Sequence, residues 1–421
     1  MTLYFVDDTK FTGLQQFIFH ETRYSLCHIY EDPESKTLQT FEQIEDPPHN
    51  FIVHHPEKMI DFSHPCISLT FELNKETAER TCDFYFGGSL EDIRSSFYEN
   101  ISMYDHAHRY IIAYGVAKAL QYLHSLEIIH KDVRPENILL DQNLYPYLNV
   151  YPTDEKVFKL GYVSYPYISP EAYNDRKATD KSDVWMLGSL IFELFAEEKP
   201  YQEMFALDFS DIKDCRTIIE NVIRKGNRTH FPDERETQEW ENEANNFPRK
   251  HKINYRQGIS PFNEVKKGHK MRELIEQCFN LDPKQRPTAE YIANQIESIG
   301  KEELKNNSDQ FNTFVTYLDY VKPKIEKGEK PERQGTYDNL DLAIERNLPF
   351  AYLIKSVLLY YHHENDPKDE MKPIYGEIKG LLMNASDFGF EDAYTCLIDQ
   401  FEDEEEVDIK YKKGFFKEIL I

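Results

Sequence analysis

Basic residues are in short supply. The chain has 49 Lys and Arg against 75 Asp and Glu over 421 residues, a formal net charge of -26. That deficit argues against nucleic acid or an acidic membrane as a main partner. Cysteine is scarce too: six are scattered along the chain and no Cys-x-x-Cys pair occurs. This excludes a disulfide frame and points to reduced thiols in the cytoplasm. No apolar run reaches the ~20 residues that would span a bilayer. Residues 1–10 have neither the basic start nor the apolar core of a secretory leader. Glycine is thin at the N-terminal end, where Gly13 stands alone among the first 40 residues. What is present, 40% hydrophobic and 14% aromatic residues, suits buried cores, and the length suits two or three domains.

Residues 130–140 carry the clearest chemistry. Asp132 and Asn137 lie five apart on a polar loop, with His130 and Lys131 before them and the apolar run 138–140 after them. In phosphoryl transfer an enzyme mainly positions groups and offsets charge. A carboxylate must meet the acceptor hydroxyl, and an amide can help to hold a metal near the phosphates. A loop with this spacing offers both. It resembles the catalytic loop His-Arg-Asp-x-x-x-x-Asn of eukaryotic protein kinases, with Lys131 in place of the Arg.

Neighbouring segments extend the resemblance in order along the chain, over roughly residues 60–299. Residues 1–95 read as strand-rich, with a hairpin from 24–30 to 37–41. His64-Pro65-Cys66-Ile67 is similar to the segment leading into the fourth strand of a kinase small lobe. Residues 81–90, with Gly87 and Gly88, resemble the hinge between the lobes; Cys82 then stands at the gatekeeper, Asp83 opens the hinge, and Leu139 lies under the adenine pocket. Apolar positions from Ile111 to Leu123 step by three and four, which predicts a helix delivering the chain to His130. Residues 138–140 and 157–160 read as two short strands, with 141–156 as a polar surface insertion between them. Ser169-Pro170-Glu171 resembles the family's Ala-Pro-Glu. Asp183 opens a helix apolar almost all round through Phe195, which must be buried. The resemblance implies that Asp183 hydrogen-bonds the backbone of the catalytic loop and that Arg286 pairs with Glu171. Residues 218–226 read as a further helix, and Thr288 as the N-cap of a last one.

Other family parts are missing. With so few glycines the Gly-rich phosphate loop is absent. The strand 37–41 has no Lys to pair the phosphates; Lys36 lies in the turn before it. The partner Glu of that Lys should fall near His55, where Glu57 follows Pro56. The Asp of Asp-Phe-Gly aligns with Tyr162, and a phenol is no magnesium ligand at neutral pH. Asp154 is near but has only proximity in its favour. The activation segment is reduced to residues 165–168.

Residues 233–270 read as a solvated, extended insertion. Residues 311–321 read as a helix and 322–335 as a charged linker. Ala343, Asn347 and Ala351 then repeat by four, as do Ala385, Gly389, Ala393 and Leu397, at an offset of 42. Small residues at that spacing let helices approach closely, and the pattern resembles Sel-one-like helical repeats, which bind other proteins. The acidic run 402–406 reads as a solvated surface.

The expected fold is therefore α+β: a bilobal kinase-like domain with a short β-rich small lobe (1–87), a helical large lobe (88–300), a helix and linker (301–335) and an all-α extension (336–421). Two functions are weighed. One is a pseudokinase that acts as a scaffold. The other is a divergent Ser/Thr kinase using Asp132, His130 and Asn137 with ATP and magnesium, Asn137 supplying part of the metal site.

Overall fold

The computed structural model describes residues 17–22, 25–31, 38–44, 64–68, 70–74, 79–95, 105–150, 165–201, 223, 225–236, 263–305, 308–327, 336–363 and 368–387. The N-terminal part is a five-stranded antiparallel sheet in the order β1-β2-β3-β5-β4. Its strands are β1 (Phe17–Thr22), β2 (Ser25–Glu31), β3 (Leu38–Ile44), β4 (Thr70–Asn74) and β5 (Glu79–Asp83). The chain leaves β5 into β6 (Gly88–Ser89) and α1 (Leu90–Ser95). Gly87 donates its N–H to Leu140 O at 2.8 Å, and a Cβ there would lie 2.8 Å from that same oxygen. Gly88 has φ +67, so a structural need accounts for both glycines.

Two helices form the heart of the large lobe. α2 (His106–Ser125) is capped by Asp105, which accepts the N–H of His108. α4 (Asp180–Ala196) is buried along nearly its whole surface, as its unbroken apolar sequence requires, and Trp185 is fully enclosed. Between them lie β7 (Ile138–Leu140), β8 (Pro146–Leu148) and α3 (Pro170–Asp175). α5 (Lys270–Cys278) packs against α4, and α6 (Ala289–Leu304), capped by Thr288, lies along α2.

The strand after the catalytic-loop segment lies at the residues read for it, 138–140. β7 pairs with β8, at 146–148, through the tight turn 141–145. Asp141 makes that turn: its Oδ1 accepts the N–H of Asn143 at 2.7 Å and of Tyr145 at 2.9 Å, and Leu144 takes φ +61. Residues 141–150 are thus not a surface insertion. Burial pushes the Asp141 carboxyl up to about 6. Pro146 hid the strand, although proline is tolerated at a strand's first position. Residues 157–160, Asp154 and Tyr162 lie outside the described residues, as do Lys36, His55, Glu57 and most of the helix read at 218–226.

The ends of the 233–270 segment are not simply solvated. The buried guanidinium of Arg272 reaches Asp233 and also donates to Val265 O at 3.1 Å and Glu234 at 2.8 Å. It stacks 4.1 Å above Phe231. Residues 237–262 lie outside the described residues.

α7 (Asp309–Glu326) continues past Val321 and takes Pro323 into its last turn, so the charged linker starts later than read. α8 (Thr336–Glu345), α9 (Pro349–His363) and α10 (Lys368–Asp387) follow. Ala343 and Ala351 are fully buried on either side of Asn347, which takes φ +56 between α8 and α9. Ala385 is buried against α9, whereas Gly389, Ala393 and Leu397 lie outside the described residues. One continuous core runs from Cys66 through α2, α4 and α6 to Phe311, Phe314, Leu340 and Leu358, so the C-terminal helices pack on the large lobe.

Gly115 marks a tight junction: a Cβ there would lie 2.5 Å from Pro146 Cγ, 3.1 Å from Phe314 Cζ and 3.3 Å from Cys66 Sγ. Gly115→Ala is expected to cost about 1–3 kcal/mol by overpacking. Gly376→Ala, with nothing within 4 Å, is expected to stabilise α10 by up to about 1 kcal/mol. Urea unfolding midpoints of the two variants check both signs.

Candidate functional site

The loop after α2 is held from below by one carboxylate. Asp183, in the first turn of α4 and fully buried, accepts the N–H of His130 at 2.8 Å and of Lys131 at 2.7 Å. His124 Nε2 lies 2.9 Å from the same carboxylate. Lys131 has φ +73, a left-handed conformation that costs a non-glycine residue roughly 1 kcal/mol or more. The bonds to Asp183 hold it there.

His130 is buried, and burial lowers its pKa despite the nearby Asp183 charge. Its neutral ring has a defined tautomer. Nε2 lies 2.9 Å from Asn149 O, which can only accept, so Nε2 donates. Nδ1 then accepts the N–H of Asp132 at 3.2 Å. The ring thus ties the loop to the residue that leaves β8.

Asp132 is half-buried, with two partners on its carboxylate. Arg134 Nε lies 3.0 Å from Oδ1, and Asn137 Nδ2 donates to Oδ2 at 2.8 Å and to the Asp132 carbonyl at 2.8 Å. The amide of Asn137 is spent on Asp132, which leaves only its Oδ1 to meet a cation. The sequence reading missed Arg134 as a partner of Asp132. A cation two positions after the Asp on a polar loop was the available signal. Arg134 also lies 3.7 Å from Glu136, whose carboxyl is pushed up by burial in spite of that guanidinium.

The other expected residues fall as follows. Cys82 is buried in β5 opposite Thr40, Asp83 ends that strand, and Leu139 is half-buried in β7 opposite Ser89 and Tyr147. Arg286 grips Glu171 with two nitrogens, at 2.6 and 2.8 Å, and lies 4.9 Å from the Trp185 ring centroid. Burial opposes the Glu171 charge, but Arg286 outweighs it and holds that carboxyl below its usual range. The pair braces α3 against the turn before α6, away from Asp132.

The described residues do not fit a nucleotide with its magnesium. β1 ends at Thr22 and β2 begins at Ser25, so Arg23 and Tyr24 alone join them and neither is glycine. β3 reads Leu-Gln-Thr-Phe-Glu-Gln-Ile and has no Lys. Asn149 and Val150 leave β8 beside the loop, and neither carries a carboxylate. Among the described residues no group of three or more His, Cys, Asp or Glu is arranged to hold a metal ion.

Replacing Asp183 by Asn turns one oxygen into an amino group facing backbone N–H donors. The variant is expected to lose about 2–5 kcal/mol of stability. Urea unfolding followed by tryptophan fluorescence checks this, since Trp185 sits two residues away on the same helix.

Comparison with known proteins points one way. The chain is 27% identical over 250 residues to wall-associated receptor kinase 5 of Arabidopsis thaliana, covering 56% of this chain and 30% of that protein. It is 28% identical over 157 residues to the RGS domain-containing serine/threonine-protein kinase A of Dictyostelium discoideum, covering 34% of this chain and 14% of that protein. It is 30% identical over 215 residues to pollen receptor-like kinase 1 of Petunia integrifolia, covering 49% of this chain and 29% of that protein. The chain thus spans less than a third of the length of each. Among the described residues no helix is long and apolar enough to cross a membrane. The model of the protein kinase domain matches residues 57–296, more than half of the sequence, and the chain belongs to the protein kinase family.

Proposed function

We propose that this chain is a pseudokinase, a kinase-fold protein that signals by contact rather than by phosphoryl transfer. One observation carries this: the strand exit beside Asn137 presents Asn149 and Val150, where a metal needs a carboxylate. A lysine-free β3 and a β1–β2 link without glycine support it. A positioned base contributes typically about 10²- to 10⁴-fold, and the cations around the phosphates supply much of the rest. Asp132 without those cations braces the loop through Arg134 and Asn137.

In this assignment residues 1–87 belong to the small lobe and 88–300 to the large lobe. Residues 301–335 are the connecting helix and linker, and 336–421 are a helical repeat unit that takes other proteins as partners, in the cytoplasm. The close approach of α8 and α9 at Ala343 and Ala351 supports the repeat assignment. A second function has one observation in its favour. Arg134 and Asn137 hold Asp132 ready, and a divergent Ser/Thr kinase would use it with ATP and magnesium.

A melting experiment with ATP, with and without Mg²⁺, separates the two. Ligand at 100 times its Kd would add about 2.7 kcal/mol to the stability of the folded state. No magnesium-dependent rise in Tm is expected. A rise that needs Mg²⁺, with phosphate transfer that disappears in Asp132→Asn, would overturn the pseudokinase assignment.

A further inference from the structure

We propose that the C-terminal helices set the conformation of the hinge, through a chain of three tyrosines from α7 to residues 84–89. The coupling goes beyond the pseudokinase assignment and holds whether or not a nucleotide binds.

α7 is seated on the large lobe in two notches that only glycine leaves open. Phe314 lies over Gly115 of α2, and Phe311 over Gly300 of α6, where an added Cβ would stand 3.1 and 2.8 Å from the respective rings. Both phenylalanines are fully buried and meet Tyr114 edge-on. Such a seat fixes the height and rotation of the helix, because closely packed surfaces do not deform smoothly.

From the seat, aromatic contacts lead towards the hinge. Tyr145, at the end of the β7–β8 turn, packs 4.6 Å from Phe314 and 5.7 Å from Tyr317. Tyr145 is tied to β8 through Asp141, whose Oδ1 accepts the Tyr145 N–H at 2.9 Å and whose Oδ2 lies 3.5 Å from the Tyr147 hydroxyl. The ring of Tyr147 in turn carries Tyr85 of the hinge, centroids 4.7 Å apart. Tyr85 is buried and Gly87 is bonded to Leu140 O, so the hinge cannot move independently of the hairpin. A second attachment comes from the α8–α9 turn, where Arg346 donates to Asn143 Oδ1 at 3.3 Å.

The physical content is a continuous packed path with one weak point, the Tyr145–Tyr317 ring pair. α8 and α9 share a core with α7, so a partner that shifts the helical unit acts on that pair first.

Amide hydrogen exchange of the full chain, read by mass spectrometry, tests the path. Tyr317→Leu removes the aromatic ring that packs on Tyr145. We expect exchange to rise by about 5-fold or more in peptides covering 84–90 and 145–150, with 270–278 and 289–299 unchanged. Phe314→Leu should give the same pattern. Tyr320→Phe, on the exposed side of the same helix, should change neither hinge nor hairpin. A change confined to α7, no change at all, or an equal rise in every peptide would each overturn the proposal.

Discussion

A single buried carboxylate organises the large lobe. Asp183 sits out of water, where an unpaired charge would cost several kcal/mol, and it is tolerated because three donors converge on it. Two of the three are successive backbone amides, and this matters more than the count. Two adjacent N–H groups can point at one carboxylate only if the chain turns sharply, and Lys131 pays for that with a positive φ. The turn aims Asp132, stacks His130 against the exit of β8, and lets the chain run into β7. Asp183 also opens the most apolar helix of the molecule, so the loop is fixed to the most rigid element available.

What the loop presents is half of a chemical site. Asp132, Arg134 and Asn137 close on one another within 3.0 Å. Catalysis of phosphoryl transfer needs charges aimed at the transferring group, not at the base. The geometry is that of a strut: it conserves the shape of a kinase large lobe while the described residues offer no lysine on β3 and no acid at the strand exit.

Much of this was legible in the sequence, for a physical reason in each case. The α4 helix announced itself because burial on all sides leaves no polar stripe. The α2 helix did so because apolar residues stepped by three and four. Thr288, a small polar residue before an amphipathic run, was readable as a cap. The β8 strand was missed, since a three-residue strand beginning with proline has no period to detect and a turn built by Asp141 looks like polar loop. Arg134 was overlooked because the only signal for its pairing with Asp132 was a cation two positions on in a polar loop, with no periodicity to mark it. The packing of α7 on the lobe was equally invisible. It depends on missing atoms, the absent Cβ of Gly115 and Gly300, and the sequence shows only glycine.

The C-terminal helices are continuous with the lobe's core, so whatever binds them is mechanically joined to the loop that Asp183 pins. The central claim remains that this loop holds Asp132 with no acidic metal ligand beside it among the described residues. Manganese electron paramagnetic resonance tests it most directly, with the full chain, ATP and substoichiometric Mn²⁺. The account predicts that adding protein leaves the Mn²⁺–ATP spectrum unchanged. Stoichiometric capture of the ion by the protein, reversed in Asn137→Ala, would contradict it.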